Sequence, residues 1–305
     1  MLRPLCLIVN PAAGNGRARD LLHPARSALT AAGAEHRVVE SASLAHAREL
    51  ATGAAGRGDV VVAVGGDGMA GALAGVAATS GARFGIIPAG RGNDLAGVLG
   101  IPLDPAAAAR VLTAGQVRRI DLISVGTPGQ PEIVVAGSVY AGIPAVAGEI
   151  ANATRWLGGP LVYPVAALRA LARWRPATFT VEIAGGDADE FDGYAVVVAN
   201  SARFGAGMQV APSAVIDDGV LDVVLMRQAA KITFVRALMK IKDGSHVTLP
   251  QISLLRGADV TITVSRDLPA AADGEPLACA APLAAGTPLR IRALPGALSV
   301  LTPAG

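Results

Sequence analysis

The sequence predicts an α/β protein of two parts, a parallel-sheet domain over residues 1–125 and a β-rich, mainly antiparallel, sandwich-like domain over 126–305. Three observations lead there. In the first part, short apolar runs alternate with stretches of helical spacing, the signature of βαβ units. One of those runs, DVVVAV (59–64), is apolar throughout, as a strand buried on both faces of a parallel sheet requires. Beyond the turn-rich joint GTPGQP (126–131), β-like runs follow one another with only two helical stretches between them. A chain of 305 residues, 52% hydrophobic and 16% charged, has the apolar content to bury cores of that size.

The elements justify themselves in order. LCLIV (5–9) is a strand ended by Asn10-Pro11, and ARDLLHPARSALTAAG (18–33) is a helix stopped at Gly33. EHRVVE (35–40) reads as a strand and LAHARELATGAA (44–55) as a helix. DVVVAV leads into a helix of small residues; RFGIIP (83–88), a loop, a second helical pair and VRRIDLISV (117–125) complete the first part. In the second part EIVVAGSVY (132–140), ATFTVEIAG (177–185), GYAVVVANS (193–201), GVLDVVLM (219–226), ADVTITVS (258–265), LRIRAL (289–294) and ALSVLTP (297–303) are bounded by Gly, Pro, Asp and Asn. Helices are expected near 160–174 and 230–242, and the C-terminal residues can pack back on the first domain.

Composition narrows the function. A net charge of +2 gives no electrostatic footprint for nucleic acid. Cys6 and Cys279 lack metal-ligand spacing and read as small buried hydrophobes in a reducing cytosol. No uncharged apolar run reaches membrane-spanning length, and the N-terminal apolar stretch is too short for a secretory signal. A cytoplasmic protein is expected, one that can still sit on a membrane surface.

Ligands of open parallel sheets bind beyond the carboxyl ends of the strands. Asn10, Asp67, Asn93 and Asp94 all follow such ends. In NPAAGNGRA (10–18), Gly14 and Gly16 let the backbone approach an anion at a helix N-terminus. No Gly-Lys-Ser/Thr follows, and Arg19 stands where a dinucleotide fingerprint needs its third glycine, although Glu40 ends the second strand as a ribose-binding acid would. An ordinary strand-to-helix turn explains this segment equally well. In GGDG (65–68), Gly65, Gly66 and Gly68 flank Asp67, which either holds Mg²⁺ through water or caps the next helix. PAGRGNDLA (88–96) repeats the pattern with Asn93 and Asp94, where a plain N-cap is the simpler account. Three glycine-bearing loops at successive strand ends make one phosphate-binding crevice the better explanation. Asp121, inside a strand, is either buried with a partner or ligand or at an exposed edge. Asp217, Asp218 and Asp222 of DDGVLD suit a divalent ion or a turn. DGEP (273–276) taken alone is a turn.

In this order NPAAGNG, VGGDGM, PAGRGNDLA, the acid of RIDLI, IDDGVLDVV and DGEPL resemble the diacylglycerol kinase catalytic domain family, over roughly residues 3 to 303. The resemblance implies a Rossmann-like first domain similar to NAD kinases and 6-phosphofructokinases. It also implies ATP- and Mg²⁺-dependent phosphoryl transfer to a lipid hydroxyl, most simply that of diacylglycerol to give phosphatidic acid. Sphingoid bases and phosphatidylglycerol are alternative acceptors. By this resemblance Asn10, Gly14, Gly16, Ser41 and Gly65–Gly68 cradle the nucleotide, with Arg91 and Asn93 beside it. Asp67, Asp94 and Asp121 order Mg²⁺ through waters, Asp217 belongs to a second, structural cation site, Asp273 is the general base and Glu275 its neighbour. Met69 stands where the family has threonine, which raises the alternative of a catalytically weak nucleotide-binding protein; Arg91 replaces another threonine and can pair with phosphate directly.

RWLGGPLVYPVAALRALARWRP (155–176) carries Arg155, Arg169, Arg173 and Arg175 with Trp156, Tyr163 and Trp174. KITFVRALMKIK (231–242) sets Lys231, Arg236, Lys240 and Lys242 among apolar residues. Such basic amphipathic helices suit an anionic membrane face, although a core helix with a solvated basic side has the same pattern. Peripheral membrane association, a lipid substrate and no nucleic acid are expected. A homodimer is left open.

Overall fold

The computed structural model describes residues 3–16, 18–90, 92–154, 162–205 and 207–304. Strands β1 (Leu5–Val9), β2 (His36–Glu40), β3 (Val60–Gly65) and β4 (Arg83–Pro88) form a parallel sheet ordered β2-β1-β3-β4. Every residue of β1 and β3 is buried, because helices cover both faces. These are α1 (Ala18–Ala31), α2 (Leu44–Gly56), α3 (Asp67–Ser80), α4 (Asp94–Val98) and α5 (Pro105–Ala114). Local chemistry sets their ends. The Ser43 hydroxyl accepts the His46 N–H at the start of α2, and Asp104 with Pro105 starts α5. Gly81, at φ 69°, ends α3.

Strand β5 (Gln116–Gly126) leads into the second part: β6 (Ile133–Val135), β7 (Ser138–Gly142), α6 (Ile143–Ala153), α7 (Val162–Arg173), β8 (Ala177–Ile183), β9 (Asp189–Ala199), β10 (Arg203–Phe204), β11 (Met208–Gln209), β12 (Leu221–Arg227), α8 (Lys231–Lys240), β13 (Ile252–Gly257), β14 (Asp259–Val264), β15 (Ala270–Ala272), β16 (Glu275–Pro276) and β17 (Leu289–Thr302). All pairings in this part between β7, β8, β9, β12, β13, β14, β15 and β16 are antiparallel. Side-chain alternation serves two cores. On β12, Val223 and Leu225 enter the core between the strands, whereas Val224 and Met226 pack beneath α6, α7 and α8. The fold class is as expected: a parallel α/β part followed by a sandwich-like antiparallel part.

Strand β17 joins the two. Its first half pairs antiparallel with β14, its whole length runs antiparallel to β5, and Ser299 and Val300 pair parallel with Arg83 and Phe84 of β4. Both parts therefore belong to one hydrogen-bonded sheet.

Three elements differ from the sequence reading. LRIRAL and ALSVLTP are one strand, β17, with a register shift between Leu294 and Leu298 that absorbs Pro295-Gly296. The stretch IPAVAGEIANA, not expected to be helical, forms α6; Pro144 sits in its first turn, where no N–H is required. EIVVAGSVY breaks into β6 and β7 at Ala136-Gly137, and that break shapes the site described next.

Candidate active site

The loops at the carboxyl ends of β1, β3 and β4 meet. The Asn10 N–H donates to the Val64 carbonyl, and the Asn10 side-chain oxygen accepts the Ala12 N–H at 3.0 Å. Gly14 has φ 62°, and a Cβ there would stand 3.3 Å from the Ala89 carbonyl. Gly16 lies in the 3-10 turn between β1 and α1. Ser41 is buried and its hydroxyl donates to the Val9 carbonyl at 3.1 Å. Gly66 and Gly90 touch backbone to backbone: a Cβ on Gly90 would fall 2.4 Å from the Gly66 Cα. Arg91 lies outside the described residues.

Asp67 does not cap its own helix, whose N-cap is Gly66. Its Oδ2 accepts the Asn93 N–H at 2.8 Å and its Oδ1 the Asp94 N–H at 2.6 Å, so it caps α4, 27 residues onward. Asn93, at φ 54°, closes a ring on Gly90, accepting its N–H at 2.9 Å and donating to its carbonyl at 3.0 Å. Asp94 Oδ1 accepts the Gly207 N–H at 2.7 Å, a bond that reaches into the second part. Burial, and then the Asp94 charge, push the Asp67 carboxyl above the ordinary carboxylate range against the pull of its N–H donors. Asp67 and Asp94 thus stand side by side at the carboxyl edge of the sheet, tied to each other through the Asp94 N–H.

Opposite them stands the hairpin turn between β15 and β16. Asp273 (φ 47°) and Gly274 (φ 89°) form a two-residue turn with positive φ at both positions, the type I′ geometry that Asp-Gly favours. Asp273 Oδ2 accepts the Ala136 N–H at 2.8 Å, and Oδ1 accepts those of Gly137 and Ser138 at 2.9 and 2.8 Å. In an unbroken strand successive N–H groups point to opposite edges, so three can converge only where β6 and β7 separate. Burial raises the Asp273 carboxyl above its usual range and the Asp94 charge adds to that; the three N–H groups pull it back. The Tyr140 hydroxyl, held neutral by burial and by the Asp273 charge, accepts the Gly274 N–H at 3.1 Å.

Two glycines of α3 let these halves approach. A Cβ on Gly71 would lie 3.0 Å from Asp273 Oδ2, and one on Gly68 would lie 3.5 Å from Oε1 of the exposed Glu275. Met69, between them in sequence, is only 4% exposed and packs in the first core beneath Gly65.

The structure does not bring Asp121 and Asp217 to this cluster. Asp121 is buried, but its oxygens accept the N–H groups of Gly296 and Gly219, each at 2.6 Å, so it joins β5 to β17 and to the 217–219 turn. Asp217 pairs with Arg118 at 2.7 Å, Asp218 with Arg256, and Asp222 with the Ser213 hydroxyl at 2.5 Å. Among the described residues, no three His, Cys, Asp or Glu side chains group to hold a metal ion. Conversely, Gly71, Tyr140, Asn200 and the Ala136–Ser138 donors were not singled out from the sequence. Only the Ala-Gly dipeptide inside an apolar run signalled the break.

Comparison with known proteins places the chain in a family. Residues 4–125 match the family described as diacylglycerol kinase catalytic domain, and residues 137–302 match the YegS C-terminal NAD kinase beta sandwich-like domain. A diacylglycerol kinase of Mycobacterium tuberculosis is 31% identical over 298 residues, 97% of this chain and 94% of that protein. A "Probable lipid kinase YegS-like" of Stenotrophomonas maltophilia is 32% identical over 260 residues, 81% of this chain and 80% of the relative. The fold is shared with a diacylglycerol kinase structure from Bacillus anthracis (TM-score 0.74, 21% identity, 98% and 97% coverage) and with yeast NADH kinase (TM-score 0.52, 10% identity, 98% and 82% coverage).

Proposed function

Because the chain belongs to the diacylglycerol kinase catalytic domain family and is a lipid kinase, we propose that it transfers the γ-phosphoryl group of ATP, with Mg²⁺, to the free hydroxyl of diacylglycerol. The observation that carries this reading is the meeting of two acidic groups across the glycines of α3: Asp67 and Asp94 at the phosphate loops, and Asp273 on the facing turn.

Phosphoryl transfer asks a protein chiefly for alignment and charge neutralisation. The Gly14, Gly65–Gly66 and Gly90 backbones form the cradle for the nucleotide phosphates, with Asn10 and Asn93 fixing the loops that carry them. Asp67 and Asp94 fit a water-shelled Mg²⁺: they are adjacent, and burial and then the Asp94 charge disfavour the charged form of Asp67, an opposition that a bound divalent cation removes. Bound there, Mg²⁺ supplies neutralisation of the phosphate charge. Asp121 and Asp217 serve instead as tertiary fastenings. Asp273, whose proton affinity is raised and whose position is held by three N–H bonds, takes the proton of the acceptor hydroxyl. Glu275 lies at the rim of the same turn.

Helices α7 and α8 are the membrane-facing surface in this reading. They pack together, and Lys231 Nζ reaches the Ala172 carbonyl at 3.1 Å. Tyr163, Val165 and Leu168 of α7 and Ile232 and Met239 of α8 are exposed beside Arg169, Arg236 and Lys240. Arg155 and Trp156 lie outside the described residues. Co-sedimentation with anionic vesicles at low salt is expected, and its absence removes the membrane role.

The reaction is tested with labelled ATP, Mg²⁺ and a panel of lipid alcohols in mixed micelles. Label should enter diacylglycerol; preferential labelling of a sphingoid base or of phosphatidylglycerol would reassign the acceptor. ATP binding without label in any lipid would favour the weak-binding reading that Met69 raised. Asp273→Asn should lower kcat by about 10² to 10⁴-fold in a chain that still folds. Full activity in that variant refutes the base assignment.

A further inference from the structure

We propose that Asn200 is a positioning residue for the transfer reaction, acting through the backbone that holds Asp273; the inference rests on the reaction proposed above. Three successive N–H groups can face one carboxylate only if their carbonyls turn elsewhere, and buried carbonyls require donors. Asn200 supplies them. It is 0% exposed, and its Nδ2 donates to the Ala136 carbonyl at 3.0 Å and to the Asp121 carbonyl at 2.8 Å. Its backbone N–H donates to the Gly137 carbonyl at 2.8 Å. Residues 136 and 137 are thus gripped by Asn200 on one side and by Asp273 on the other.

Only a side-chain amide offers two N–H donors from one nitrogen at this position without introducing charge. Its Oδ1 has no partner among the described residues, a buried acceptor that packing alone would not call for. By way of Asp121, the same amide also connects the nest to the β5–β17 joint, since the Asp121 side chain binds Gly296 and Gly219. Asn200 therefore links the position of Asp273 to the strand shared by both parts of the molecule.

The experiment compares wild type, Asn200→Ala, Asn200→Ser and Asp273→Asn in the micelle assay, with Tm and pH profiles of kcat. Asn200→Ala should lower kcat about 10–100-fold, the scale of a displacement near 1 Å at a reacting group, with KM for ATP within about twofold. The acid limb of its kcat profile should move to higher pH, because looser N–H donors hold the Asp273 carboxylate less strongly as the anion. Asp94 and Tyr140, the other ionisable groups that bear on Asp273, are unchanged by the substitution. Asn200→Ser, which keeps one donor, should fall between. A lowered Tm with kcat and acid limb as in wild type would overturn the proposal, as would a change in KM alone. If neither variant folds, Asn200 serves the fold and the proposal fails. An active Asp273→Asn variant would instead overturn the underlying assignment of the base.

Discussion

Gly71→Ala tests whether Asp273 is held against α3. In the interior of a helix, alanine gains about 1 kcal/mol over glycine from propensity alone. Here the new Cβ would lie 3.0 Å from Asp273 Oδ2 and 3.8 Å from its Cβ and Cγ. The oxygen cannot swing aside, because its carboxylate is fixed by N–H bonds of 2.8, 2.9 and 2.8 Å. Either the Asp-Gly turn or the start of α3 must shift by a few tenths of an ångström. Overpacking of this kind costs about 1–3 kcal/mol, so the net destabilisation should be about 0–2 kcal/mol, a change in Tm of a few degrees. Activity should respond far more, with kcat down about 10–100-fold. Gly68→Ala is the internal control for packing: its Cβ would meet the flexible, exposed Glu275 at an ordinary 3.5 Å, so Tm should not fall. Thermal denaturation and the micelle kinase assay read both variants. If Gly71→Ala raises Tm by the propensity gain and leaves kcat intact, the close approach of the turn to α3 is wrong.

Met69→Thr should lower stability by about 2–4 kcal/mol, since it removes core volume beneath Gly65 and buries a hydroxyl; an unchanged Tm would show that the side chain does not fill that core. Chelation of the nucleotide-free protein should leave Tm unchanged, because Asp217 and Asp218 are paired with Arg118 and Arg256. Arg118→Ala should cost only about 0–1 kcal/mol for so exposed a pair, and a loss of several degrees on adding chelator to wild type would reinstate a structural cation. The pH dependence follows from Asp273, whose carboxyl is raised in the folded state. A folded carboxyl that holds its proton more tightly than the unfolded one gives stability that declines as pH rises from about 4 through the raised value. Asn cannot titrate, so the Tm of wild type minus that of Asp273→Asn should fall as pH rises above about 4; a rise would show that the N–H donors outweigh burial.

The sequence by itself determined the layer architecture and pointed to the strand ends whose loops meet. Unbroken apolar runs such as DVVVAV read as strands covered on both faces, and the glycines at three strand ends read as places where the backbone can approach a ligand. That Gly66 and Gly90 lie backbone against backbone is a further use of those glycines, which only the folded chain shows. Asp67 stood out locally as an acid between glycines, whereas DGEP read locally only as a turn and Asp273 gained a chemical role from the family resemblance alone. What each acid touches was not legible, because a carboxylate is satisfied by whatever donor reaches it. Asp67 caps a helix 27 residues away, and Asp121, isolated in a strand like a ligand, is taken by Gly219 and Gly296. The DDGVLD acids likewise meet arginines from distant strands, Arg118 on β5 and Arg256 on β13. The broken strand at Ala136-Gly137 is the clearest instance. Its residues favour continued pairing, and the tertiary structure interrupts them because a buried carboxylate 137 residues onward needs three N–H groups on one side, with Asn200 taking the carbonyls left on the other. Local periodicity reports which face a residue presents; only the folded chain decides which polar groups meet there.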